Sequence, residues 1–429
     1  MASSKITQLM QMAYADAGGD QAAAYNSVLE NLLSSHMAAA TTSATATASI
    51  TDDLKELASH LFSANPGVVT QRDVLESLIR ALRAMDSADV SVAVGQHVLD
   101  AVASLPSGSL LDQVASLREL VGDAHETNED FLAAARVLAE MPLDAAQRKV
   151  TNEERVRVWV RVVRDYLEVD DATSAETYLN KLKNVIYTVA DPTLNLHFRL
   201  SQARIQDAKR EFLAASAAYH DISLSPAVAE DERLHTLAMA ARCAILAPAG
   251  PLRARALGRL YKDERAVQLG EFAMLEKMFL DRLLAPAEVA RFARGLAPHQ
   301  LATTSDGSTV LDKAVVEHNL LGASRLYSNI GFDALALLLG LEPHRAEETT
   351  ARMIEQGRLV GRVDQIEELI WFERGEASGE KGSGRAEVTV GREMRRWDAN
   401  VLGLAEEVEN VTNALQREFP EFVAANMVV

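Results

Sequence analysis

From about residue 51 to 295, apolar side chains recur every three or four positions with polar ones between them. That is the period of helices with one buried face, and nothing in the region alternates as a half-buried strand would. Breaks at NPG (65–67), LPSG (105–108), MPL (141–143), ADP (190–192), SPA (225–227) and APAGP (247–251) divide it into helices of 12–18 residues. Short breaks between such helices predict stacked helical hairpins. FLAAARVLAEMPL at 131, AETYLNKLKNVI at 175 and FLAASAAYHDISL at 212 start about 40 residues apart. This is the period of a helix-pair solenoid, in which neighbours bury each other's apolar faces. In VRVWVRVVRDYL (156–167), Val156, Trp159, Val160, Val163, Tyr166 and Leu167 share one stripe. Arg157, Arg161, Arg164 and Asp165 are expected opposite them, as a solvated face rather than a binding strip.

The pattern changes on both sides of this arm. Residues 1–50 read as N-terminal helices plus a linker, because MAAATTSATATASI (37–50) is a low-complexity Ala/Thr/Ser run that suits a flexible connector. Over 300–373, a short helix carrying Leu335, Leu338 and Leu339 stops at Gly340. Pro343 then suits the first turn of the next helix, and Glu347 and Glu348 suit its positive end. On that helix Ala346, Thr350, Met353 and Ile354 share a face up to Gly357. Two short extended runs follow, Leu359 to Val363 and Leu369 to Phe372, with a turn near Asp364–Glu368. Helix, turn, helix and hairpin predict a winged helix.

Residues 374–393 read as a flexible loop, with five glycines between 375 and 392. Over 394–429 the periodicity is the cleanest in the chain. Met394, Trp397, Val401, Leu404, Val408, Val411 and Leu415 are spaced 3, 4, 3, 4, 3 and 4, a heptad seam. A lone helix of this kind is marginal in water and needs a partner, either its own domain or, the favoured reading, another chain. The fold class expected is therefore mainly α: a right-handed solenoid of helical hairpins, a winged helix and a C-terminal bundle helix.

A winged helix raises the question of DNA. The whole chain carries a formal charge of −18, opposite to what non-specific affinity for a duplex needs. Within 300–373, six basic residues face twelve acidic ones, a net of −6. The second helix presents His344, Arg345, Glu347, Glu348, Arg352 and Glu355, a poor surface for a groove. Arg358 and Arg362 near the wing are the only basic hint. The hairpin's strand edge is then better used as a template for another protein, with Leu359, Val360, Val363, Ile370, Trp371 and Phe372 as candidate interface residues.

Catalytic signatures are missing. No H-x-H or H-E-x-x-H pair, P-loop or G-x-S-x-G elbow occurs, and the single cysteine, Cys243, lies in an apolar run and is expected to be a buried hydrophobe. No catalytic, cofactor or metal residues are assigned. The N-terminus lacks a signal pattern, with Asp16 and Asp20 against a transit peptide, and no apolar run reaches the roughly 20 residues of a membrane span. The expectation is a soluble intracellular chain without membrane contact.

Four strings carry a resemblance: FLAASAAYHDIS (212–223), LYKDERAVQLGEFAMLEKMFLDRLL (260–284), DKAVVEHNLLGASRLYSNIGFDALALLLGL (312–341) and MIEQGRLVGRVDQIEELIWFE (353–373). With the predicted architecture they resemble the PCI-domain proteins shared by the proteasome lid, the COP9 signalosome and a translation-initiation factor, and within that family the signalosome members. The resemblance implies a non-catalytic scaffold subunit of a complex that removes Nedd8 from cullin-RING ubiquitin ligases, in cytoplasm and nucleus. It implies as partners the other PCI subunits and an MPN-domain isopeptidase pair that holds the catalytic zinc, with cullin-RING ligases as substrate. It also implies that winged helices associate edge to edge, that the seam Trp397–Leu415 joins a common bundle, and that the helical arm reaches toward the substrate. Alternatives are a proteasome-lid subunit and a winged-helix nucleic-acid binder.

Overall fold

The computed structural model describes residues 21–38, 44–64, 66–85, 87–103, 110–144, 148–303, 307–373 and 392–426. The chain divides into two compact units, Met1–Lys209 and Arg210–Val429. That cut falls inside the arm expected over 51–295. No described helix is long and apolar enough to cross a membrane.

The first unit is all helix: α1 (Gln21–Ala38), α2 (Ala44–Ala64), α3 (Val68–Met85), α4 (Ala88–Ala103), α5 (Leu111–Thr127), α6 (Phe131–Ala139), α7 (Asn152–Glu168), α8 (Ala172–Lys183) and α9 (Pro192–Ala208). Consecutive helices from α4 to α8 pack on one another. One core runs from Tyr25 and Val28 through Leu54, Leu78 and Val98 to Val121, and a second from Ala135 through Trp159 and Leu182 to Ile205. The Ala/Thr/Ser run does not act as a connector throughout. Its residues 44–50 are the first turns of α2, where alanine favours helix and Ile50 anchors the end of the run in the core. Residues 39–43 lie outside the described set.

The 40-residue repeat has a structural counterpart in its turns. Glu129, Asp170 and Arg210 all have φ of 60–64°, and their spacing along the chain is 41 and 40 residues. Each follows a helix, and the next residue, Asp130, Asp171 or Glu211, is the N-cap of the helix after it. Asp130 accepts from Ala133 N at 3.2 Å and Asp171 from Ser174 N at 3.0 Å, which satisfies amides that the first helical turn leaves unpaired. At Glu129 and Asp170 a left-handed residue followed by a cap brings the next helix back onto the one before it in minimal length.

The second unit continues with α10 (Phe212–Ser223), α11 (Glu230–Leu246), α12 (Pro251–Tyr261), α13 (Phe272–Phe279) and α14 (Pro286–Ala293). The winged helix follows as α15 (Val310–Leu326), β1 (Asn329–Gly331), α16 (Phe332–Leu339), α17 (Pro343–Glu355), β2 (Gly361–Asp364) and β3 (Leu369–Phe372), then α18 (Arg392–Glu418) and α19 (Pro420–Asn426). Gly340 at φ 69° and Gly357 at φ 64° end α16 and α17, as their positions suggested. Strand β1 was not anticipated from sequence, because three residues inside an apolar stretch are too few to show alternation. It pairs with β3, giving the order β1-β3-β2. Leu335, Ala346, Met353, Leu359 and Ile370 form the core beneath the sheet. The Gly-rich loop over 374–391 lies outside the described residues.

The expected outer face of α7 also needs correction. Asp165 does not face solvent; it is fully buried. Helix α7 packs against α6, α8 and α9, so Val158 and Val162 are buried along with the predicted stripe and little of the helix is left for water.

The turn geometry predicts opposite effects at two positions. Arg210→Gly should raise the thermal midpoint, a gain of about 0.5–1 kcal/mol, because glycine lacks the Cβ clash of the left-handed region. Gly357→Ala should lower it by about 1 kcal/mol or more for the same reason. Thermal unfolding of the two variants checks both signs, and a shift in the same direction for both contradicts the assignment.

Candidate functional site

The site that organises the second unit is a group of buried polar side chains where α15 meets the helices before it. Three consecutive residues of α15, Glu317, His318 and Asn319, are polar within an apolar stretch and buried. Glu317 is 2% exposed. Its carboxylate accepts both terminal nitrogens of Arg358, at 2.5 Å (Nη1 to Oε2) and 2.9 Å (Nη2 to Oε1), and Ala249 N at 3.0 Å. Arg358 Nη1 also donates to Ala249 O at 3.2 Å. The APAGP break is thus the receiving surface for an arginine from the wing.

Arg253 lies beside it, nearly fully buried, and donates to Ala247 O at 3.3 Å and towards Ala314 O at 3.5 Å. Burial drives its pKa down to about 10, against the pull of Glu317. His318 Nε2 lies 2.8 Å from the Arg282 carbonyl, so that nitrogen carries the hydrogen and donates it. The bare Nδ1 then accepts from Arg253 Nη2 at 3.4 Å. Burial first, and Arg253 second, push the His318 pKa down to about 4. A base held neutral in this way stabilises the fold fully above its ordinary pKa of 6.5, and that contribution is lost as pH falls towards 4. Asn319 clamps Leu284, accepting from its N at 2.9 Å and donating to its O at 3.4 Å.

This arrangement holds the APAGP turn, α15 and the start of the wing in register. A second meeting of reactive residue types is likewise structural. His220 Nε2 lies 3.7 Å from Asp263 Oδ2, but Ser223 Oγ donates to the His220 carbonyl at 2.7 Å, and Arg265 donates to the Ser223 carbonyl at 2.7 Å. The hydroxyl is not aimed at the ring, so no nucleophile is activated. No group of His, Cys, Asp and Glu with metal-binding geometry occurs among the described residues, and Cys243 is buried.

The predicted wing residues divide into two groups. Strand β3 is central, with Leu369–Phe372 paired to β1 on one side and β2 on the other. Ile370 and Phe372 are buried in the core, so Ile370, Trp371 and Phe372 cannot offer a backbone edge, contrary to the sequence reading. Leu359 is also a core residue. Within the hairpin the outer edge is β2, the other edge strand of the sheet being β1. Phe372 N donates to Ser328 O and Phe332 N to Glu368 O, while Glu373 N donates to Val360 O. Antiparallel alternation then points Val360, Arg362 and Asp364 towards β3, and turns the amides and carbonyls of Gly361 and Val363 outward. Position 361 must be glycine, because a Cβ there would lie 2.5 Å from the Trp371 carbonyl oxygen.

On α18 the seam is open. Trp397 is 62% exposed, Leu404 61% and Val411 59%, with Val401 and Val408 similar and Leu415 half-buried. The Met394 side chain lies outside the described residues. Apolar exposure continues at Leu402, Phe419 and Phe422.

The basic hint at the wing is already occupied. Arg358 is held by Glu317, Arg362 lies 5.3 Å over the Trp371 ring, Arg352 pairs with Glu348 and Arg325 with Asp281. At least four of the six basic residues of the winged helix therefore have partners that are not phosphate. The arginines of α7 are similarly engaged, Arg157 with Glu153, Arg161 with Asp123 and Glu126, and Arg164 with Glu126.

Removing one partner of a buried ion pair strands the other charge, at a cost of about 3–5 kcal/mol, whereas replacing both by apolar groups recovers much of it. Glu317→Met should therefore destabilise the second unit by about 3 kcal/mol or more, and Glu317→Met with Arg358→Met by clearly less. Urea unfolding of the single and double variants measures this, and additive losses would contradict it. Acid unfolding supplies a second check: His318→Asn should flatten the fall in stability between pH 6.5 and 4. An unchanged acid limb would remove His318 from its cause.

Comparison with known proteins gives the lineage. Residues 19–231 match the family described as PSMD12/CSN4, N-terminal, and residues 275–374 match the PCI domain family. COP9 signalosome complex subunit 4 of Neurospora crassa is 54% identical, covering 100% of this chain and 99% of its own length. The protein of the same name from Emericella nidulans is 49% identical over 86% of this chain and 90% of its own. That from Arabidopsis thaliana is 34% identical over 84% and 88%. An N-terminal helical region, a PCI winged helix locked to the helices before it, and similarity over 84% or more of the chain in each relative agree: the chain belongs to the COP9 signalosome complex subunit 4 family.

Proposed function

We propose that this chain is a non-catalytic scaffold subunit of a COP9 signalosome, joined to the other subunits by the seam of α18 and the outer edge of β2. The exposed seam carries the reading. Trp397, Val401, Leu404, Val408 and Val411 present large apolar surface on one helix face, at a spacing that suits packing between helices. Burying such side chains is worth roughly 1.5–3 kcal/mol each, so a helix bundle with partner subunits recovers what the isolated chain leaves in water. The β2 edge offers only Gly361 and Val363, enough for a short register-setting contact, with Val360 beside it.

The resemblance to signalosome subunits supports the rest of the proposed role. The catalytic zinc isopeptidase belongs to an MPN-domain partner, the substrates are neddylated cullin-RING ligases, the helical arm faces the substrate, and the complex works in cytoplasm and nucleus. The similarity to subunit 4 over most or all of each chain favours this over a proteasome-lid role. The occupied arginines and the −6 charge of the winged helix weigh against nucleic acid.

The isolated chain should not release Nedd8 from a neddylated cullin. Deleting residues 394–429, or substituting aspartate at Val401, Leu404 and Val408, should reduce co-purification with signalosome subunits by about ten-fold or more while leaving the helical fold intact by circular dichroism. Undiminished incorporation of either variant would sink the role given to α18.

A further inference from the structure

Outside the assembly surfaces, one helix of the second unit carries a row of cations that no carboxylate answers. Arg255 and Arg259 of α12 and its C-cap Lys262 are spaced 4 and 3 residues apart. That spacing places them on one face, within an arc of about 60°. All three are exposed, and among the described residues none of them makes an ion pair.

The opposite face of α12 is fully used. Ala256, Leu257 and Leu260 are buried there, and buried Arg253 ties the helix to the Ala247 and Ala314 carbonyls. Gly258 takes the edge of the Phe279 ring, where a Cβ would stand 3.2 Å away. The Tyr261 ring stacks on Phe279 with centroids 4.7 Å apart. Packing therefore fixes the rotation of α12 and turns the row outward. Other cations of the unit are held by acids: Arg242 by Glu271 at 2.7 Å, Lys277 by Glu288 at 2.5 Å and Arg325 by Asp281 at 2.6 Å. Asp263, next to Lys262, is spent on Arg265 at 2.6 Å. Glu264 is exposed two residues beyond Lys262 and makes no ion pair with the row.

Three fixed like charges side by side repel one another, and a partner of opposite charge reverses that cost. The complement is a helix with carboxylates at the same alternation of three and four residues, since two helices lying side by side stay in step over the row's length of about 10.5 Å. Leu252, three residues before Arg255 and largely exposed, extends the face with an apolar end. Nucleic acid fits less well. A strand running past so short a row meets a chain of formal charge −18, and the Tyr261 ring on this helix is already stacked.

We propose that Arg255, Arg259 and Lys262 form a docking surface for an acidic helix of another protein, with an apolar residue of that helix covering Leu252. The contact uses neither α18 nor the β2 edge. Exposed ion pairs are individually weak and screened by salt, so the row sets the orientation and encounter rate of its partner more than its affinity.

Photo-cross-linking of the full chain in cells, with p-benzoylphenylalanine in place of exposed Ala254 beside the row, tests this. Irradiation should capture another protein through a peptide whose Asp or Glu residues recur at that spacing. Arg255→Glu, Arg259→Glu and Lys262→Glu together should cut the yield about ten-fold or more, and lysines in place of the peptide's acids should restore it. The absence of a cross-link overturns the proposal. So does a cross-link to nucleic acid, to a second copy of this chain or to a peptide without those acids, an undiminished yield in the triple variant, or a charge swap that restores nothing. If the triple Glu variant loses its helical circular dichroism, the triple Gln variant decides: a fall of about three-fold or more supports the row and an unchanged yield overturns it.

Discussion

The ion pair between Glu317 and Arg358 is the constraint on which the second unit depends. Two charges with almost no access to water cost several kcal/mol to bury, and they are tolerated here because every contact is made. The carboxylate takes both guanidinium nitrogens and a backbone amide of the APAGP turn, and the guanidinium takes that turn's carbonyl. Glu317 lies on α15, Arg358 lies between α17 and β2, and Ala249 follows α11, so one interaction fixes three parts of the chain. Arg253, His318 and Asn319 extend the lock to Arg282 and Leu284. The wing is consequently fastened to the helices before it rather than tethered to them.

Much of the fold was legible because helical period and breaks report directly on burial. The 40-residue period reappears in the left-handed turns at Glu129, Asp170 and Arg210, and the glycine stops at 340 and 357 lie at helix ends. What escaped was non-local. Arg358 reads as a spare basic residue because its partner is 41 positions away. The available signal was the polar triplet Glu317–Asn319 inside the apolar run of α15, which no solvated face would place there. Asp165 was misassigned because a single-stripe reading assumes one packed side, and α7 is enclosed by α6, α8 and α9. The wing edge was placed on too many residues, since the three-residue β1 that makes β3 central leaves no alternating pattern to read.

The same accounting of charge separates an assembly protein from a nucleic-acid reader. Arginines that would face phosphate are spent inside the molecule, on Glu317, on the Trp371 ring and on neighbouring acids. The second unit leaves apolar surface unspent along α18, together with the outward backbone groups of Gly361 and Val363. These surfaces suit other polypeptides.

Affinity purification of the full chain from cells, with identification of the proteins that come with it, tests the assembly role most directly. Recovery of signalosome subunits, together with cullins, is the predicted result. Recovery of proteasome chains instead, or of the chain alone with nucleic acid, would contradict it.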